Sequence, residues 1–195
     1  MLSNFKPKPL PKPYAWVKDH AAKYGPNIVR EALKTYGLRE TAGEENTDEI
    51  IEMADQLGGV IDDFYTMDSI PWCGLAVSYW IMKAGFTPPK NFSQVRARDF
   101  AEWGKPSNKP SFGDILVFWR GSKAGRDGHV GLYIAEDDDV YYVLGGNQSD
   151  QVNITKLKKS RLLAARQCPW RWFKPKGVRP LQIAEVAGAV SVNEA

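Results

Sequence analysis

The amino-acid sequence predicts an α+β fold in which helices come before an antiparallel β-sheet. Segments with helical spacing fill the first half of the chain. From Ser111 onward, short apolar or alternating segments that are typical of strands replace them. Helices followed by strands, rather than helices that alternate with strands, indicate the α+β class.

Glycine and proline residues mark the ends of the predicted helices. Gly25-Pro26 ends the first helix and Gly37 the second, while Asn27 and Thr47 are predicted N-caps. The helix that starts at Cys73 is apolar nearly all round, which predicts burial on most of its faces. The predicted helices cover residues 14–24, 28–36, 48–57, 73–84 and 92–103.

The residues at 129–135 alternate strictly, which predicts a strand. His129, Gly131 and Tyr133 lie on one face of it, and Val130, Leu132 and Ile134 lie on the other. A three-residue loop after Glu136 would pair that residue with Val140. The same register sets His129 opposite Asn147. The predicted strands cover residues 115–119, 129–135, 140–144, 151–157 and 162–166.

The domain organisation follows from composition along the chain. Residues 1–13 alternate Lys and Pro and predict an extended arm. Residues 14–176 form a single predicted domain that includes a long insert at 44–68, and residues 177–195 form a C-terminal tail. Two alternatives remain open for the tail, which either packs on the body of the domain or is frayed.

Composition excludes several classes of protein. A chain that is 43% hydrophobic and has a net charge of +3 predicts a folded domain with too little positive charge for nucleic-acid binding. No apolar segment has the length of a signal peptide core or a membrane helix. The expectation is a soluble monomer without membrane insertion, and its two cysteines do not form a disulfide framework.

Cys73 lies where a helix would expose and activate a thiol. Pro71 fits a position just before a helix start, so Cys73 falls in the first turn. A helix N-terminus favours the thiolate, and its N–H groups can receive the oxyanion of a tetrahedral intermediate. The alternative is a buried core cysteine, which is common for free thiols. The position at the helix start favours a nucleophile.

His129 begins a strand of the first predicted hairpin after the long apolar helix. A cysteine nucleophile needs an imidazole, because the ring accepts the thiol proton. The predicted register brings Asn147 to about 4.5–5.5 Å from His129 between Cβ atoms. An amide oxygen there fixes which ring nitrogen faces the thiol. The alternatives are a histidine bonded to a loop and a plain turn at Gly145-Gly146-Asn147.

Four motifs occur in order along the chain. They are Pro71-Trp72-Cys73, Phe112-Gly113-Asp114-Ile115, Gly128-His129-Val130-Gly131 and Leu144-Gly145-Gly146-Asn147-Gln148-Ser149. Over roughly residues 25–173 the chain thereby resembles the CHAP and NlpC-like cysteine peptidoglycan hydrolases, most closely the compact phage-encoded, endolysin-like branch. The resemblance implies a papain-like fold with N-terminal helices packed on an antiparallel sheet.

The resemblance also implies an activity. Such enzymes cleave amide bonds in the peptide part of bacterial peptidoglycan, as endopeptidases or as N-acetylmuramoyl-L-alanine amidases. By motif position, Cys73 is the expected nucleophile, His129 the general base and Asn147 the orienting residue. No cofactor is expected. The protein would stay in the host cytoplasm until release, or belong to a virion. An acyl transferase and a non-catalytic wall-binding or virion structural module remain alternatives.

Two further residues near the cysteine are assigned to substrate binding. Asp68 is expected to bind an amine of the stem peptide, and Trp72 is expected to border the site. Some CHAP relatives hold calcium near this position. The spacing of Asp62, Asp63 and Asp68 does not match a calcium-binding loop, so no metal is predicted.

Overall fold

The protein has an α+β fold, in which all the described α-helices precede the first strand of a mostly antiparallel sheet. This order confirms the predicted class. A computed structural model describes residue 2 and residues 5–43, 45–170, 174–175, 181–183 and 188–191. Within this part of the chain, no helix is both long enough and apolar enough to cross a membrane.

The α-helices form close to the predicted positions. They are α1 (Trp16–Tyr24), α2 (Asn27–Leu33), α3 (Asp48–Leu57), α4 (Val60–Phe64) and α5 (Cys73–Lys83). Asn27 is the first helical residue of α2 rather than its N-cap, which is Pro26. Thr47 does precede α3, but its hydroxyl donates to the Arg39 carbonyl at 2.8 Å instead of capping the helix.

The helix predicted over 92–103 is instead two short 3-10 helices, Asn91–Gln94 and Ala97–Glu102. The end of the first one docks on α5, where the Ser78 hydroxyl donates to the Gln94 carbonyl at 2.7 Å. Contact with α5 thus takes precedence over a continuous helix, and it puts residues 95–99 beside the first turn of α5.

Six described strands form one sheet with the order β5-β1-β2-β3-β4-β6. Neighbours are antiparallel except β4 and β6, which run parallel. The strands are β1 (Ile115–Trp119), β2 (Gly128–Glu136), β3 (Val140–Gly145), β4 (Asn153–Lys158), β5 (Leu162–Arg166) and β6 (Val190–Ser191).

The β2–β3 hairpin differs from the predicted pairing at its turn. Glu136 lies opposite Tyr141 rather than Val140, and an irregularity between Tyr133 and Ala135 shifts the register. Beyond that shift, Leu132 pairs with Leu144, as the predicted register requires. A bulge adds a residue to one strand of such a pair. Here it restores the expected alignment towards the end of β2 that carries His129.

The sheet separates two apolar layers of unequal size. The larger one contains α5 together with Val130, Leu132 and Ile134 of β2. The smaller one covers the other face of the sheet with Tyr133, Val143 and their neighbours. Helix α5 is buried along residues 73–81, as its composition predicts, and it packs on the central strands β2 and β3.

Both ends of the chain contact the domain. In the arm, the Lys8 N–H donates to the Tyr36 carbonyl at 2.9 Å. In the tail, the Ile183 N–H donates to the Glu136 carbonyl at 3.0 Å, and Val190 packs against the larger core. Of the two alternatives for the tail, packing applies to these residues. The predicted boundary at 176–177 lies outside the described residues.

Candidate active site

Cys73 is the first residue of α5 and borders a cleft of about 620 Å³. Its side chain is 7% exposed, and the thiol is free. Main-chain N–H groups of Val130, Gly74 and Cys73 itself hydrogen-bond with the sulfur. The sulfur therefore lies at the junction between the start of α5 and strand β2.

Opposing effects act on the pKa of the Cys73 thiol. Burial is the largest effect, and it raises the pKa above its ordinary value of 9.0. The three N–H groups and the positive charge of Arg120 lower the pKa, but burial outweighs them. At neutral pH the free protein therefore holds a thiol, and an attack on a carbonyl requires a base to remove its proton.

His129 is the second residue of β2, and its side chain is 1% exposed. Its Nε2 atom lies 3.0 Å from Oε1 of Gln148. The Gln148 amide nitrogen donates to the carbonyls of Val143 at 3.2 Å and Asn153 at 2.7 Å. These acceptors fix the amide orientation, so Oε1 faces the ring and accepts the Nε2 proton. In the neutral ring, the lone pair that accepts a proton is then on Nδ1.

The sulfur of Cys73 contacts the main chain of β2 next to His129. The N–H group that hydrogen-bonds with the sulfur belongs to Val130, which directly follows His129. Nδ1 is the ring nitrogen nearer to the main chain, and Gln148 holds the far nitrogen, Nε2. The imidazole and the main-chain contact of the sulfur therefore belong to neighbouring residues of β2.

The residue whose amide contacts His129 is one position later in the chain than the predicted Asn147. Strand β3 ends at Gly145, and Asn147 has a left-handed backbone with a φ of 54°. The chain therefore leaves the strand geometry before it reaches Asn147. Within the described residues, the buried Oδ1 of Asn147 has no hydrogen-bond partner. The amide that holds the His129 ring belongs to Gln148.

Two glycines allow the loop after β3 to approach both parts of the site. A Cβ atom at Gly145 would lie 2.8 Å from Oε1 of Gln148 and 3.0 Å from Nε2 of His129. A Cβ atom at Gly146 would lie 2.6 Å from Cβ of Ala76 on α5. Real Cβ atoms do not tolerate such separations without movement. The absence of side chains at 145 and 146 thus lets one loop hold the histidine and pack on the helix that carries the cysteine.

Asp68 does not face the cleft. Its side chain is 1% exposed, and Oδ2 accepts hydrogen bonds from the N–H groups of Thr41 at 2.9 Å and Thr47 at 2.8 Å. The Asp68 N–H in turn donates to Oδ1 of Asn46 at 3.0 Å. The carboxylate thus ties two loops together and offers no surface to an amine of a substrate. This corrects the predicted substrate contact.

Trp72 is buried beneath the loop after β3 and does not line a groove. The ring is 0% exposed, and Nε1 donates to Oε2 of Glu40 at 3.1 Å. A Cβ atom at Gly146 would lie 2.8 Å from this ring, so the loop after β3 rests directly on Trp72. The burial removes the ring from contact with a substrate, which corrects the predicted substrate-binding role.

No group of three or more His, Cys, Asp or Glu residues suited to a metal ion exists in the part of the chain that the structure describes. The Asp68 carboxylate accepts hydrogen bonds from main-chain N–H groups, and Asp62 hydrogen-bonds with Asp55. Burial is the largest cause of the raised pKa of Asp55, and the hydrogen bond with Asp62 raises that pKa further. These contacts give Asp62 and Asp68 separate structural partners.

The sequence interpretation missed two residues of the site. Gln148 lies in the last of the four motifs, and the two glycines at 145 and 146, which favour a turn, indicate that the strand ends before it. Arg120 follows β1 directly and borders the same cleft as Cys73. No local signal marks Arg120, because a charged residue after a strand is most often at the surface.

Comparison with known proteins adds no family assignment. No protein-family model matches this chain, and no curated protein matches it either. The interpretation of the site therefore depends on its geometry and on the four motifs.

Proposed function

We propose that the protein is a cysteine amidohydrolase with a papain-like arrangement of its site, acting on the peptide part of bacterial peptidoglycan. One observation carries the proposal. The ring of His129 is held at Nε2 by an amide of fixed orientation, and the sulfur of Cys73 lies against the next main-chain N–H along β2. These contacts support the assignment of Cys73 as nucleophile, His129 as base and Gln148 as orienting residue.

The proposed reaction forms and breaks one acyl-enzyme. The Cys73 proton passes to Nδ1 of His129 as the sulfur adds to the scissile carbonyl carbon. The carbon–nitrogen bond then breaks, and the leaving amine takes that proton from Nδ1. A water molecule next gives a proton to Nδ1 and adds to the thioester. The carbon–sulfur bond breaks, the substrate leaves as a carboxylic acid, and the proton returns to the sulfur.

The raised pKa of Cys73 supports general-base catalysis by His129. Burial keeps the thiol protonated at neutral pH, so the proton must transfer during attack. The first-turn N–H groups of Cys73 and Gly74, which already point at the sulfur, are suited to bind the oxyanion that forms beside it.

The substrate class in this proposal follows from the resemblance of the four motifs to wall hydrolases. The net charge of +3 is compatible with approach to an anionic wall polymer. A phage enzyme of lysis or of infection is the role that we propose on the same grounds. Mass spectrometry of the fragments would identify the bond that is cut.

The test compares two cysteine variants. Cys73→Ala should abolish release of soluble fragments from purified sacculi, by at least about a thousandfold. Cys168→Ala is the matched control, since it also removes a buried free thiol but should keep the activity. Undiminished digestion by folded Cys73→Ala would refute the proposal.

Two other outcomes would favour the alternatives. Formation of an adduct with a labelled amine, in excess over hydrolysis, would indicate an acyl transferase. Binding to sacculi without digestion, by the wild-type protein, would indicate a wall-binding module.

A further inference from the structure

The cleft beside Cys73 carries more positive than negative side chains. Its lining includes four arginines and two aspartates, namely Arg96, Arg98, Arg120, Arg126, Asp99 and Asp127. The Asp99 carboxylate accepts a hydrogen bond from the neutral Ser93 hydroxyl at 2.7 Å and keeps its charge, so the lining has two more positive than negative side chains. A cleft lined by one sign of charge attracts ligands of the opposite sign. This cleft therefore favours an anionic ligand.

Arg98 has a structural role in the wall of the cleft. Its guanidinium donates to the main-chain carbonyls of Ser122 at 2.9 Å, Lys123 at 3.0 Å and Asp127 at 2.8 Å. Arg98 thereby holds the loop after β1 in place. Three carbonyl acceptors leave it little capacity to bind a ligand.

Arg120 is placed differently from Arg98. Its main chain is fixed, because its N–H donates to the Asp127 carbonyl at 3.2 Å and its carbonyl accepts from the Ser122 N–H at 2.8 Å. Its side chain is half-buried in the cleft. Within the described residues, its guanidinium makes no hydrogen bond or salt bridge to the protein. A side chain with a fixed main chain and a guanidinium group that makes no such contact is suited to ligand binding.

We propose that Arg120 binds a carboxylate of the acyl donor, so that the preferred substrate is a peptide with a free carboxylate close to the scissile amide. The planar guanidinium offers paired N–H donors that match the two oxygens of a carboxylate. Arg120 lies near enough to the sulfur for its charge to act on Cys73. The inference rests on the proposed function for the part that concerns a substrate.

The first test uses the reactivity of Cys73 and does not require an enzymatic activity. Iodoacetate and iodoacetamide both alkylate a thiolate with loss of iodide, but only iodoacetate is anionic. In a Cys168→Ala background, Arg120→Gln should lower the ratio of the iodoacetate rate to the iodoacetamide rate about three- to fivefold. Arg120→Lys should retain the ratio, because it keeps the charge.

Lys18→Gln is the matched control for total charge. Lys18 is exposed and borders a separate groove along the arm, so its removal should leave the ratio unchanged. The same ratio in Arg120→Gln and the wild-type protein would overturn the proposal, and so would an equal decrease in Lys18→Gln.

The second test uses two peptide substrates that differ only in a carboxylate or a carboxamide beside the scissile bond. Arg120→Gln should raise KM about tenfold for the carboxylate peptide and leave the carboxamide peptide unchanged. Arg120→Lys should restore only part of the affinity, because an ammonium group is a point charge. Equal losses on both peptides would overturn the proposal. Digestion by Cys73→Ala would instead refute the proposed function, while the alkylation ratio still tests carboxylate recognition by Arg120.

Discussion

Oε1 of Gln148 lies 3.0 Å from Nε2 of His129, and this single contact joins the base of the proposed site to the β3–β4 connection. The amide nitrogen of Gln148 donates to the carbonyls of Val143 and Asn153, which flank this connection on its two sides. Asn153 also donates to the Gln148 carbonyl at 2.8 Å. These hydrogen bonds hold the Gln148 amide in the orientation that faces Nε2 of His129.

Removal of the Gln148 side chain should impair catalysis without abolishing the fold. Gln148→Ala removes the amide oxygen that lies 3.0 Å from Nε2 of His129, so this contact no longer fixes the tautomer of the ring. Misplacement of a catalytic group by about 1 Å costs about a hundredfold, and we expect a loss of that order in fragment release. The pH profile should also change, because the fixed tautomer is lost.

Asn147→Gly is the control for Gln148→Ala. Glycine keeps the left-handed backbone at this position and removes only the side chain. Its rate of fragment release should stay within about twofold of the wild-type rate, because Asn147 lies outside the contact. A hundredfold loss in Asn147→Gly alone would contradict the assignment of the orienting role to Gln148.

Gly145→Ala tests the close approach beside the histidine. The new Cβ would lie 2.8 Å from Oε1 of Gln148 and 3.0 Å from Nε2 of His129, so this pair has to separate. We expect a loss of activity similar to that of Gln148→Ala, measured on sacculi. Gly104→Ala controls for stability, because its φ of 63° makes alanine strained although its Cβ would meet nothing within 4 Å. That variant should lose about 1–2 kcal/mol of stability but no activity.

Asp68→Ala should destabilise the protein rather than weaken substrate binding. It removes the acceptor of the Thr41 and Thr47 N–H groups, which are partly buried. The expected loss is about 2–4 kcal/mol in the free energy of unfolding, measured with urea. Asp68→Asn keeps an acceptor oxygen and should lose less. Reduced activity with unchanged stability would instead restore a substrate-binding role for Asp68.

Stability should fall at alkaline pH because several buried acids have raised pKa values. Burial, followed by the negative charge of Asp114, raises the pKa of Cys168 well above 9.0, and burial also raises that of Cys73. Burial raises the pKa of Tyr14 from 10.0 to about 12. A raised pKa means that the neutral form is favoured by folding. Its contribution is complete below the unfolded pKa and is lost as pH rises through the folded pKa.

Denaturant unfolding between pH 7 and pH 11 checks this expectation. The free energy of unfolding should be level up to about pH 8 and then decline by up to about 1.4 kcal/mol per pH unit for each group. Cys168→Ala should make the decline shallower between about pH 9 and pH 10, where thiols titrate before tyrosines. An identical slope with and without Cys168 would contradict the assignment.

The elements of the fold could be predicted because their signals are local. Glycines follow the ends of α1 and α3, and uninterrupted apolar composition marks α5 as buried. Alternation identifies β2, and Pro71 directs Cys73 to a helix start. Each of these signals lies within a few residues of the feature that it predicts, so no knowledge of distant contacts is needed.

The contacts of the site depend on how distant segments meet. A left-handed residue after β3 ends the alternation on which the Asn147 prediction relied, and it brings Gln148 to the ring instead. Asp68 was predicted to be accessible, but two loops enclose it. Such outcomes follow from packing among residues far apart in the chain.

The sequence by itself determined the helix-then-strand order and the positions of Cys73 at a helix start and of His129 on a later strand. Only the tertiary structure decided which amide holds the ring and which cation borders the thiol. Hydrogen bonding within a helix or turn and apolar periodicity depend on residues that are close in the sequence. The partner of a buried side chain depends on the path of the whole backbone. A change of backbone direction at a single residue can therefore exchange one partner for another.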